Sequence, residues 1–224
     1  MQPSDPHQPY APYAPPAAPP PVYRQNVFIP EGARTAPLLG SGLRVAKLVL
    51  GIVQNVALLA GMVLVVVGAL TGLHGEGETL MVIGGISLGL WWVTVVAYAV
   101  VGMVWGYKFW SWVPPEHRHT SLWKKYISPA QAAWFMVIPM FNIFWTIVLN
   151  LGTADILERM RVEYPTDKPP AKTLALITSI VPYVFFPAAP FVDYFFDKHV
   201  EGMAADMQAH MNARAGAGAV RATS

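Results

Sequence analysis

The sequence predicts an all-α polytopic membrane protein, four transmembrane helices with disordered N-terminal and C-terminal tails. Three observations predict it. Long apolar stretches recur four times along the 224 residues. The chain is 54% hydrophobic and only 12% charged, where an ordinary soluble domain is about a quarter charged. Its opening forty residues are so rich in proline that no regular element can form there.

Residues 1–40 form a Pro/Ala/Tyr-rich arm. Proline lacks an amide donor and fixes φ near the polyproline value, so the run from Tyr10 to Pro21 stays extended and solvated. Tyr10, Tyr13 and Tyr23 are the candidate partner-binding residues, suited to a groove lined with aromatic side chains on a protein partner. The competing reading is a plain spacer. Asp5 and the prolines stand where a signal peptide needs a basic region and an apolar run, so targeting falls to the first span.

The membrane domain is expected over 41–196, with spans at 45–70, 80–106, 129–151 and 173–194. Each is close to the roughly twenty residues that cross the hydrocarbon. Arg44 and Lys47 open the first span, and a glycine-rich loop follows it. Gly68/Gly72, Gly85/Gly89 and Gly102/Gly106 are pairs of small residues at four-residue spacing that allow close helix approach. The loop from Tyr107 to Ser128 carries Phe109, Trp110, Trp112, Trp123 and Tyr126, expected at the headgroup level. Pro129 suits a first helical turn. A charged extension of the third span follows, where Asp155/Arg159 and Arg159/Glu163 pair at i,i+4, before Pro165, Pro169 and Pro170 end it. Pro182, Pro187 and Pro190 predict kinks or a broken helix in the fourth span. Residues 197–224 are a tail expected to begin helical and end disordered.

The first connecting loop holds no lysine or arginine and the second holds four, which places the N-terminus in the cytoplasm and, with four spans, the C-terminus too. Arg159, Arg161, Lys168 and Lys172 contradict this, because the third loop would then lie outside. A third segment re-entering at residues 139–142 would remove the conflict. Four spans are nevertheless expected, because a turn at mid-bilayer leaves backbone groups unpaired unless protein surrounds it.

The motif Pro114-Pro-Glu-His-Arg118, then Ser128-Pro129 and Ile138-Pro-Met-Phe-Asn-Ile-Phe-Trp145, resembles a family of uncharacterised bacterial multi-pass membrane proteins. Those carry a PPE-x-R loop, then S-P, then I-P-x-F-N-x-x-W in a span. The resemblance covers residues 114–151. It implies a bacterial inner-membrane four-helix module and no activity.

Asn142, Thr146 and Asn150 fall at i, i+4 and i+8, a candidate polar membrane face. Gln54, Asn55, Ser87, Thr94, Thr178 and Ser179 are available as its partners. Such a face serves either interhelical hydrogen bonding or a solute pathway. Glu116-His117-Arg118-His119 is too short of ligands for a metal site. Arg118, Lys124 and Lys125 are candidate headgroup contacts with membrane lipid. The sequence contains no nucleophile elbow, phosphate-binding glycine loop, cysteine or acid pair within a span, so no catalytic residue, metal or cofactor is expected. A net charge of +2 gives no basis for a nucleic-acid partner. The expected role is a non-enzymatic scaffold or interaction subunit presenting the arm. The alternative is a small oligomeric channel or transporter using the Asn142 face.

Overall fold

A computed structural model describes residues 40–72, 77–138 and 140–222, and every named element among them is helical. The arm, with Tyr10, Tyr13 and Tyr23, lies outside the described residues. α1 (Gly40–Gly72) and α2 (Glu78–Trp112) are the two long apolar helices, and the windows Gly42–Gly72 and Glu78–Trp112 are long and apolar enough to cross a membrane.

The two helices pack antiparallel. Ser87 Oγ donates to the Ala57 carbonyl at 2.9 Å, and glycines set the approach. A Cβ on Gly84 would lie 2.9 Å from the Val65 amide nitrogen and 3.0 Å from the Gly61 carbonyl oxygen. One on Gly68 would lie 2.9 Å from the Met81 nitrogen. The contact therefore runs through Gly61, Gly68, Gly77 and Gly84. Of the pairs expected to do this, Gly85, Gly89 and Gly106 face open space, and Gly102 meets only Met136 at 3.9 Å.

The third stretch is not the single helix expected of it, and the fourth is broken near its prolines. Ser128 caps α3 (Pro129–Trp134) with a reciprocal box: its hydroxyl accepts from Gln131 N at 3.1 Å, and the Gln131 side chain accepts from Ser128 N at 2.9 Å. A 3-10 turn (Phe135–Val137) follows. Ile138 is then extended, as a residue before proline is driven to be, and Met140 has a φ of 63°. The chain reverses there into α4 (Phe141–Glu163). Trp145 Nε1 donates to the Ala132 carbonyl at 3.2 Å, whereas an unbroken helix would hold those residues about 20 Å apart. The indole also packs on Phe135, Phe141 and Trp123.

The fourth stretch does the same. α5 (Lys172–Val184) contains Pro182 and ends at Phe185; a 3-10 turn (Phe186–Ala188) leads into α6 (Ala189–Ala222). α6 returns past the start of α5: Thr166 Oγ1 donates to Asp206 at 2.8 Å, and His199 Nε2 lies 2.9 Å from the Pro169 carbonyl oxygen. The tail expected from residue 197 is this helix. It is ordered by Phe196, Val200, Met203 and Met207, all buried and recurring at three- and four-residue spacing.

Both hairpins therefore open toward the N-terminal end of α1 and the C-terminal end of α2. That end holds the apolar core: Phe109, Trp110, Trp112 and Val113 from α2 and its exit, Trp145, Ile156 and Leu157 from α4, and the α6 residues just named. Phe109, Trp110 and Trp112, expected among headgroups, are thus core residues, because α2 continues to Trp112. The segment after α2 is clamped to α4, where Arg159 Nη2 donates to the carbonyls of His117 and His119. Away from this base α1 and α2 run on alone, with Val63, Val66, Leu70, Val82, Ile86 and Val93 exposed.

Gly84→Ala should cost about 1–3 kcal/mol by forcing backbone apart, read as the unfolding midpoint in detergent. Gly85→Ala, facing open space, should leave the midpoint unchanged.

Candidate functional site

Three helices meet in a ladder of buried charges. Lys47 is the last cation of α1 before its apolar run, and its Nζ donates to Asp197 Oδ2 at 2.7 Å and lies 3.8 Å from Asp193. Arg44, one turn earlier, pairs with the fully buried Glu201. From α2, Tyr98 donates its hydroxyl to Asp193, and its ring lies 5.5 Å beneath the Lys47 ammonium. Asp193, Asp197 and Glu201 recur every four residues and so share one face of α6. Sequence reasoning missed this face because it ended the domain at residue 196; the four-residue spacing was the available signal.

A buried ion pair gives little net stability, since desolvation offsets attraction, but removing one partner leaves a buried charge uncompensated. Burial pushes the Asp197 carboxyl up to about 6; Lys47 pulls it down, and Asp193 pushes it up further.

Beyond the ladder lies a cavity of about 250 Å³ lined by Gly51, Gln54, Asn55, Tyr98, Thr146, Thr178, Tyr183 and Asp193, among others. Pro182 of α5 and Pro190 of α6 also line it. Asn55 Nδ2 donates to the Pro187 carbonyl at 3.2 Å, and a Cβ on Gly51 would strike the Pro190 ring at 2.6 Å. Of the expected polar face, only Thr146 reaches this cavity. Asn142 is exposed and accepts from Thr146 Oγ1 at 3.0 Å, and Asn150 is half-buried on α4. Of the expected partners, Gln54, Asn55 and Thr178 line the cavity, Ser87 bonds across to α1, and the Thr94 and Ser179 hydroxyls turn back to their own helices.

The candidate headgroup residues separate. Lys124 and Lys125 are exposed. Arg118 is buried, and its guanidinium donates to the Val113 carbonyl at 2.8 Å, the Tyr126 hydroxyl at 2.9 Å and the Ser111 carbonyl at 3.2 Å. It pins the loop and is not free for a phosphate. The motif that carries the family resemblance is likewise architectural here, since Arg118, Ser128, Pro129 and Trp145 build the α3–α4 hairpin and the loop before it. Among the described residues, no three His, Cys, Asp or Glu side chains converge to hold a metal ion.

No family model, curated protein or solved structure matches the chain.

Lys47→Met should destabilise the fold by about 3–5 kcal/mol by stranding Asp197. Lys47→Met with Asp197→Leu should recover most of that loss, measured as denaturant or thermal midpoints in detergent. A carboxyl whose folded pKa exceeds its free value of about 4 favours the fold most below that pH. Its contribution is lost as pH rises through the folded value of about 6. Midpoints followed across this window should show that loss in the native chain, and Asp197→Asn should remove it.

Proposed function

We propose that α1 and α2 span a bacterial inner membrane as one hairpin, with both folded-back hairpins at its cytoplasmic face. On this reading the protein is a non-enzymatic scaffold that presents its Pro/Tyr arm to a protein partner. The supporting observation is the placement of charge. No lysine or arginine occurs between Leu48 and Tyr107, and every one among the described residues lies at the base end. The positive-inside rule assigns such an end to the cytoplasm. The uncharged part of α1, 48–70, is about 35 Å of helix, a little more than the hydrocarbon thickness of about 30 Å.

Two hairpins in place of two spans also remove the charge conflict in the sequence. Arg159, Arg161, Lys168 and Lys172 then share a side with Lys124 and Lys125. The arm joins α1 at this end, so arm and base address the same compartment. The ladder side chains are engaged with one another, which suits a role in holding the base together.

The polar groups of Thr146 and Asp193 in the cavity favour a second reading, a small transporter. The glycine seam of α1 and α2 draws their distal halves into contact, so a passage would have to form between several copies. Solute flux in liposomes that Asp193→Asn abolishes without unfolding the protein would carry that reading over the scaffold.

The chain contains no cysteine, so single cysteines report cleanly. An impermeant maleimide applied to intact cells or spheroplasts should label Glu78→Cys, and should label Asp167→Cys only after permeabilisation. Labelling of Asp167→Cys from outside would restore four spans. For the scaffold, cross-linking in native membranes should capture a specific partner that is lost when residues 1–39 are deleted. Partners unchanged by the deletion would reduce the arm to a spacer.

A further inference from the structure

Around α6 from the ion ladder, Lys168, Leu174, Phe195, Lys198 and His199 line a groove of about 350 Å³. Its cations are little engaged. Lys198 has no hydrogen bond or ion pair among the described residues, and Lys168 is 3.9 Å from Asp206, a carboxylate already accepting from Thr166. The Lys168 stem lies across Gly202, where a Cβ would sit 2.6 Å from its Cε, so this glycine sets where the ammonium points. His199, bonded to the Pro169 carbonyl, fixes the wall between the two lysines. Leu174 belongs to the first turn of α5, whose unbonded amides and dipole also favour an anion.

The other end of the groove is apolar. Phe195 is 57% exposed, and Phe191, one turn further from the base, is 48% exposed. Cationic groups at one end and an exposed aromatic track leading away match a phosphate attached to a hydrocarbon chain better than a free phosphate. The level fits as well. Lys198 follows Asp197, the partner of Lys47, and Lys47 directly precedes the uncharged run of α1. If α1 spans the bilayer as proposed above, the groove stands at the boundary between headgroups and hydrocarbon.

We propose that this groove binds one anionic phospholipid, Lys168 and Lys198 clasping its phosphate while an acyl chain lies along Phe195 and Phe191. The site rests on the membrane reading but is independent of the scaffold role. It also differs from diffuse attraction to the exposed Lys124 and Lys125, which do not line the groove.

The test uses the full chain reconstituted in phosphatidylcholine doped with phosphatidylglycerol, then purified in mild detergent, with retained lipid counted by native mass spectrometry. Lys168→Gln with Lys198→Gln should reduce retained phosphatidylglycerol about ten-fold, and Lys124→Gln with Lys125→Gln should not. Gly202→Val keeps every charge but displaces the Lys168 stem, and should weaken retention as well. Equal loss in the Lys124/Lys125 control would mean bulk electrostatics and overturn the site, as would retention unchanged by any substitution. Displacement of the lipid by millimolar glycerol 3-phosphate or inorganic phosphate would make it a free-anion site and overturn the lipid assignment. Alkaline carbonate extraction of the same proteins separates the two levels: a chain that leaves the membrane refutes the spanning reading, and one that stays but fails to retain lipid refutes only the groove.

Discussion

The contact between Lys47 and Asp197, with Arg44 and Glu201 one turn away, fixes the register of α6 against α1, and the rest of the base depends on that register. With α6 held there, Phe196 meets Trp105, Gln208 accepts from the Trp112 indole at 2.7 Å, and Pro187 reaches Asn55. A slip of one residue would turn the three acids about 100° around the helix, away from both cations. The same slip would also turn Phe196, Val200, Met203 and Met207 from the core, though packing of methionine and alanine tolerates local readjustment. Buried charges do not, because each one left without its partner costs several kcal/mol. The ladder thus contributes specificity where the Ala/Met-rich core of α6 contributes less.

Each folded-back hairpin satisfies the backbone groups at its own turn, as a turn near a bilayer would require. At the first tip the Asn142 amide bonds the Ile138 carbonyl at 2.9 Å, and Trp145 satisfies Ala132 from the facing helix. At the second, Phe185 N donates to Val181 and Ala188 N to Phe185, while Asn55 of α1 satisfies Pro187. Most of these partners come from within each hairpin or from α1. The second tip lies at the level of Asn55, beyond which α1 continues for about 25 Å.

The sequence made the two long helices, the Pro129 start of α3 and the disruptive prolines of the fourth stretch legible, because hydropathy and proline act locally. It could not separate a kinked span from a reversal, since that depends on whether Trp145 finds Ala132 or lipid. The best available clue was the basic charge at 159–172, which conflicted with four spans for a physical reason. Aromatic clusters were read as interfacial because composition is the same in a core. The expected glycine pairs stand four residues apart, but the glycines that touch across the seam, Gly61 and Gly68 on α1 against Gly84 and Gly77 on α2, are spaced seven apart on each helix, the seam period of antiparallel helices crossing at a shallow angle. Of the candidate polar face only Thr146 lines the cavity, because the chain reverses just before α4 and leaves Asn142 exposed near its start.

The described residues thicken abruptly along α1: two helices as far as Asn55, then five or six elements side by side. If α1 and α2 span a bilayer as proposed, that change falls within one leaflet, and the protein would claim unequal area from the two monolayers. Lipids around the wide end must spread while those around the narrow end close up. The elastic cost of that mismatch depends on how the sheet is already bent, and a molecule of this profile would rest most easily where its membrane curves toward the base.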